Sequence, residues 1–185
     1  MVLPIVAFGS PVLRIKCKDI SKDFQKLDHL IENMWETMYK ASGVGLAAPQ
    51  INKSIRLFLI DTNPFMEEGN EDNAIKKVFI NATILEEQGE PWIFNEGCLS
   101  IPDIREDIKR KSIITIKYQD ENFVWHTDTY DGLTARVIQH EYDHIEGVLF
   151  TDKISPLRKR MIKGRLEKIS KGRIDVAYRM KFSEI

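Results

Sequence analysis

The stretch SIITIKYQDENFVWHTDTYDGLTARVIQHEYDHIEG, residues 112–147, decides the fold. Ile114, Ile116 and Tyr118 alternate with Ile113, Thr115 and Lys117, the period of a strand, and 123–129 resumes after the turn-forming Asp120-Glu121-Asn122, so the two predict a β-hairpin. Asp131-Gly132 then opens a helix, and Gly147 stands where a helix stop is expected. On that helix His140 and His144 lie four residues apart, about 40° round the axis, so both imidazoles can reach one divalent ion. Glu141 between them can handle the proton of a water held there, the chemistry of metal-assisted hydrolysis. Leu133 and Val137 fall within roughly 60° of the histidines and set an apolar wall beside them, which suits an apolar substrate side chain. Two helical histidines can also simply pack, so a third ligand has to decide.

Working outward, Phe24, Leu27, Leu30, Ile31, Met34, Trp35 and Met38 repeat at helical spacing, predicting an amphipathic helix from an N-cap at Ser21 to Gly43. Residues 55–61 and 77–85 are short runs rich in branched residues and read as strands. Between them, 63–74 contains Pro64, Gly69 and four acidic residues, and reads as an exposed acidic loop. Ser155-Pro156 supplies the cap and first turn of a last helix, with Leu157, Met161, Ile162, Leu166 and Ile169 as its apolar side. The strands are short and hairpin-linked, without regular strand-helix alternation. The expected class is therefore α+β, with short antiparallel sheets packed around a central metal-binding helix and flanked by N-terminal and C-terminal helices.

A chain of 185 residues with 43% hydrophobic and 30% charged residues suits one catalytic domain spanning 1–185, with 171–185 expected to be a flexible tail. The apolar start Met1–Phe8 is short and lacks a basic leader, so no signal peptide is expected. No apolar run approaches the roughly 20 residues of a membrane span. A cytoplasmic location is expected, with neither membrane nor DNA as partner. Cys17 and Cys98 are too few for a disulfide framework, which leaves a cysteine free to be a buried hydrophobe or a metal ligand. Net charge is −1, but residues 155–185 hold ten Lys or Arg against three Asp or Glu. Arg158, Lys159, Arg160, Lys163, Arg165 and Lys168 form a basic helix face, which is either simply solvated or able to meet RNA phosphates.

Candidates for the third ligand separate the families that carry such a helix. One metalloprotease class continues through a glycine to a third histidine; here Gly147 is present but Phe150 occupies the histidine position. Another class uses a glutamate some 20 residues downstream, where Glu167 sits between Leu166 and Lys168 in the basic helix. Cys98 is the stronger candidate, in the run Asn95-Glu96-Gly97-Cys98-Leu99-Ser100-Ile101-Pro102, whose glycine and proline predict an irregular segment. A lone Cys98 would more often be a small buried hydrophobe. A closed structural zinc site would need a fourth ligand, and neither His126 in the hairpin nor His29 on the first helix has a motif around it.

Three runs, Gly43-Val44-Gly45-Leu46-Ala47-Ala48-Pro49-Gln50, Glu96-Gly97-Cys98-Leu99-Ser100 and Gln139-His140-Glu141-Tyr142-Asp143-His144, resemble in order and separation the signature motifs of the peptide deformylases. The final helix resembles the bacterial form of that family rather than the form ending in a strand. The resemblance implies removal of the formyl group from the N-terminal methionine of nascent polypeptides, with release of formate. It implies that Cys98, His140 and His144 bind the metal, that Glu141 is the acid/base, and that Gln50 and the Leu99 N–H form the oxyanion site. Val44, Gly45, Glu96 and Gly97 would lie along the substrate, and Phe94, Leu133 and Val137 would line the methionine pocket. Arg136 falls where an apolar residue is common, so a more polar pocket rim is expected. The implied ion is Fe(II) in the cell, with zinc or nickel possible in purified protein; the implied partners are formyl-Met peptides and, through the basic helix, the ribosome. The competing enzymatic reading is an H-E-x-x-H metallopeptidase cutting internal peptide bonds.

Overall fold

The computed structural model describes residues 1–65 and 74–183. In chain order the elements are β1 (Ile5–Val6), α1 (Leu27–Lys40), β2 (Gly45–Ala47), β3 (Leu57–Asp61), β4 (Lys76–Cys98), β5 (Ile101–Gln119), β6 (Trp125–Asp131), α2 (Gly132–Ile145), α3 (Pro156–Ser170) and β7 (Met180–Lys181). Strands β2 to β6 form one antiparallel sheet in sequential order, while β1 and β7 pair in parallel. This is the α+β class that the hairpins predict.

Strand β3 shows how the core is divided. Side chains of a strand alternate between faces. Leu57 and Leu59 accordingly join Leu27, Ile31, Met34 and Met38 of α1, while Phe58 and Ile60 join Phe79, Ile114, Ile116 and the α2 residues Ala135, Ile138 and Ile145. Helix α2 is buried nearly all round, enclosed by sheet and loops. A third cluster packs Ile101, Ile104 and Ile108 of β5 against Leu149, Phe150, Ile162 and Ile169. At the C-terminal end of α2, Gly147 adopts φ +74°, and a Cβ there would lie 2.8 Å from the Arg14 carbonyl oxygen, so glycine serves both the turn and the close approach.

Several elements differ from the sequence expectation. Helix α1 begins at Leu27 after a left-handed Lys26, not at Ser21, whose carbonyl accepts the Phe24 N–H in a preceding turn. The strand expected over 77–85 runs on to Cys98, its exposed middle at 85–91 having no apolar alternation to announce it, and Gly89 at φ +76° bends it. The segment around Cys98 is strand rather than loop, but irregular as expected: the register shifts between Gly97 and Cys98, β4 ends at Cys98 and β5 starts at Ile101 after a two-residue turn. In α3, Ser155 Oγ accepts the Arg158 N–H as expected, but only Ile162 and Ile169 are buried, while Leu157 and Met161 face outward.

The segment after α3 returns to the N-terminal strand: Ile5 N–H donates to Arg179 O at 2.9 Å and Ala7 N–H to Lys181 O at 2.8 Å. Of the acidic loop, Asn63–Phe65 form a 3-10 turn and 66–73 lie outside the described residues.

Candidate metal centre and active site

Two elements bring the candidate ligands together. Helix α2 presents His140 and His144, and the end of β4 presents Cys98, so that donor atoms of all three lie within 4.8 Å of one another. Cys98 Sγ is 3.3 Å from His144 Nε2. The imidazole ring centroids are 5.1 Å apart, and Phe150 stacks on His140 at 6.1 Å, so the residue at the third-histidine position of the protease class is an apolar backing for a ligand ring.

Glu96 holds the first ligand. His140 Nδ1 lies 3.1 Å from Glu96 Oε2, which selects the tautomer protonated at Nδ1 and leaves Nε2 as a lone-pair donor. Glu96 is 4% exposed and is held in turn by Arg110 at 2.7 and 2.9 Å and by Arg136 at 2.9 Å. Burial alone would raise its carboxyl, but the hydrogen bonds from His140 and Arg110 outweigh burial and keep it ionised far below the ordinary range. Arg110 also reaches Asp143 at 2.7 Å, and Arg136 donates to the backbone oxygens of Ile108 and Trp92. Arg136 lines the pocket, as the expectation of a more polar wall has it. At 2% exposure it is a buried cation whose charge is answered by Glu96.

Glu141 is buried against the glycine of the first motif. A Cβ on Gly45 would lie 2.7 Å from Glu141 Cδ and 2.8 Å from Cγ, and closer still to Oε1. Burial pushes the Glu141 carboxyl up to about 7, against the pull of His140. Its Oε2 is enclosed and has no hydrogen-bond partner among the described residues. Burial and the neighbouring His140 push His144 well below the ordinary imidazole value. A thiolate sulfur, two imidazole nitrogens and an unpartnered carboxylate oxygen beside them fit a three-ligand catalytic ion, because three protein donors leave a coordination position open to water.

Gln50 completes the floor. Its Oε1 accepts the Ala47 N–H at 2.8 Å, which turns Nε2 towards the site, 3.5 Å from Cys98 Sγ and 3.4 Å from Ser100 Oγ. These groups open onto a pocket of about 390 Å³ whose walls include Val44, Gly45, Phe94, Gly97, Leu99 and Val137. Leu133 is half-buried on α2 but does not line this pocket, although the helical face predicts that it would. Sequence reasoning missed Arg110 and Asp143 of this charged network, and Arg105 and Tyr178, which line the pocket. The pairing of Arg136 with His140, one helical turn apart, was a signal for the first part of the charged network; nothing in the motifs points to Tyr178.

A buried proton acceptor, three clustered metal donors and an inward-facing amide together define a metal-dependent hydrolase. Residues 2–160 match the family described as polypeptide deformylase. A peptide deformylase of Christiangramia forsetii is 59% identical over 98% of this chain and 96% of its own length, and one of Flavobacterium johnsoniae is 56% identical over 99% and 97%. Among solved structures, the deformylase of Thermotoga maritima is 42% identical with TM-score 0.75, covering 84% of this chain and 99% of its own. That of Legionella pneumophila is 35% identical with TM-score 0.81, covering 94% and 98%. The chain belongs to the polypeptide deformylase family, which sets aside the internal-bond peptidase reading.

Proposed function

We propose that this chain, acting as one catalytic domain, removes the formyl group from the N-terminal methionine of nascent polypeptides and releases formate. The observation that carries the reading is the Cys98, His140 and His144 cluster with Glu141 at the floor of an apolar pocket. These three residues would hold one divalent ion, which when bound supplies Lewis acidity and lowers the pKa of water. Glu141 takes the proton of the attacking water and passes it to the leaving amine. Gln50 Nε2 and the Leu99 N–H donate to the oxygen that gains charge in the tetrahedral intermediate. Val44, Gly45, Glu96 and Gly97 border the substrate backbone, Glu96 chiefly by fixing His140, and Phe94 and Val137 face the methionine side chain.

Fe(II) is the working ion in this proposal, since the soft thiolate and two imidazoles accept it, while zinc binds more tightly and competes during purification. An iron-bound Cys98 is open to oxidation, so anaerobic preparation should give the higher turnover. The site of action is the cytoplasm; no helix among the described residues is long and apolar enough to cross a membrane. Exposed Lys159, Arg160, Lys163 and Lys168 on α3 offer phosphate contacts to the ribosome. Arg158 is already engaged with Glu106.

The decisive experiment is formate release from formyl-Met-Ala-Ser by iron-loaded protein. Absence of formate at full metal occupancy, or cleavage of internal bonds in unformylated peptides, overturns the proposal. Ribosome docking is tested by charge reversal of Lys159, Arg160 and Lys163 and salt-dependent co-sedimentation; unchanged binding rejects it.

A further inference from the structure

The turn that carries Leu99 is clamped from both ends of the chain. Its Leu99 carbonyl accepts the Tyr178 hydroxyl at 2.7 Å, and its Ser100 carbonyl accepts the Phe8 N–H at 2.8 Å. Ser100 Oγ is met by Gln50 Nε2, and the Leu99 side chain lies so close to Gly43 that a Cβ there would sit 2.7 Å from Leu99 Cδ1. Tyr178 is half-buried, lines the active-site pocket and is anchored by the β1–β7 pairing two residues further on. It lies beyond residues 2–160, the part that matches the family model.

We infer that Tyr178 is a positioning residue for the reaction: its hydroxyl holds the Leu99–Ser100 peptide, and through the Leu99 Cα this restrains the adjoining Cys98–Leu99 peptide that carries the Leu99 N–H. The inference rests on the proposed oxyanion role of Leu99 and Gln50. A two-residue turn has few degrees of freedom, and securing both of its carbonyls removes the rotations that would swing the preceding N–H away from the reacting oxygen. A donor preorganised in this way acts at the transition state more than on bound substrate, so its loss appears in kcat rather than KM.

The test is Tyr178→Phe in the full, iron-loaded chain, assayed by formate release from formyl-Met-Ala-Ser. The ring and its packing are retained and only the hydroxyl is lost. The expected result is a kcat lowered about tenfold with KM within about twofold, because one orienting hydrogen bond is removed without touching the substrate pocket. Metal content and melting temperature should match the parent. A merely structural Tyr178 would leave kcat at the parent value in the Phe variant, and that result overturns the inference. In a cycle with Gln50→Ala, the combined loss should be smaller than the product of the single losses, because both changes disable one oxyanion site. Multiplicative losses would overturn the route through Leu99. A Gln50→Ala enzyme at the parental rate would overturn the oxyanion reading and this inference together, whereas a parental Tyr178→Phe enzyme alone would overturn only the latter.

Discussion

Gly45→Ala separates chemistry from stability more cleanly than removal of a ligand. Gly45 lies in β2, where alanine meets no backbone penalty, since its φ is not positive. The added Cβ would stand 2.7 Å from Glu141 Cδ and 2.8 Å from Cγ, against an ordinary carbon–carbon contact of about 3.5–4 Å, so the carboxylate must retreat by about 1 Å. A displacement of that size at a reacting group costs roughly 10²-fold in rate. Overpacking of a buried site costs about 1–3 kcal/mol, and at this chain length each kcal/mol lowers the melting temperature by roughly 2–4 °C. The expected variant is folded, keeps its metal and is about a hundredfold slower in kcat. Formate release, elemental analysis and thermal unfolding on one preparation check all three. A variant within threefold of the parent kcat would refute the claim that Glu141 works from the position that Gly45 leaves free.

Glu141→Ala should retain bound metal by elemental analysis while losing at least about 10³-fold in kcat, because the proton acceptor is gone and the ligands are intact; substantial turnover would remove Glu141 from its role. Glu96→Gln leaves Arg110 and Arg136 facing a neutral partner inside the protein, which should cost about 3–5 kcal/mol and lower the melting temperature by roughly 10 °C. The same change should weaken metal affinity about 10–100-fold by releasing His140. A melting point within 2 °C of the parent and unchanged affinity would contradict the description of this network. Matched iron and zinc preparations, each at full occupancy, should differ in turnover in favour of iron; equality would remove the preference for iron.

The metal cluster was readable because its information is local. His140, Glu141 and His144 follow helical spacing, and the runs around Gln50 and Cys98 are contiguous. The hairpin over 112–129 was readable for the same reason: Ile114, Ile116 and Tyr118 alternate with Ile113, Thr115 and Lys117, and the register pairs Tyr118 with His126 across the turn. What escaped was long-range or charged. Strand β5 buries Ile104, Glu106, Ile108 and Arg110 in strict alternation, yet two of these four are ions, and an apolar template passes over them. Their burial makes sense only once Arg158 meets Glu106 and Glu96 meets Arg110, contacts spanning 52 and 14 residues of chain. Leu133 shared the histidine face of the helix, but one turn nearer the N-terminus that face leaves the pocket.

The parallel pairing of β1 with β7 joins residues at opposite ends of the polypeptide. Closing so long a loop is entropically unfavourable until the intervening sheet and helices have shortened it, so this contact belongs to the last stage of folding. During synthesis Ile5 has no partner until Met180 has left the ribosome. The order of assembly therefore runs from the sheet and α2 outward, and the Leu99 turn gains its last hydrogen bond only once Tyr178 is in place. A polypeptide that stalls before Tyr178 would already possess all three metal donors and still lack the contact that secures the Leu99 carbonyl.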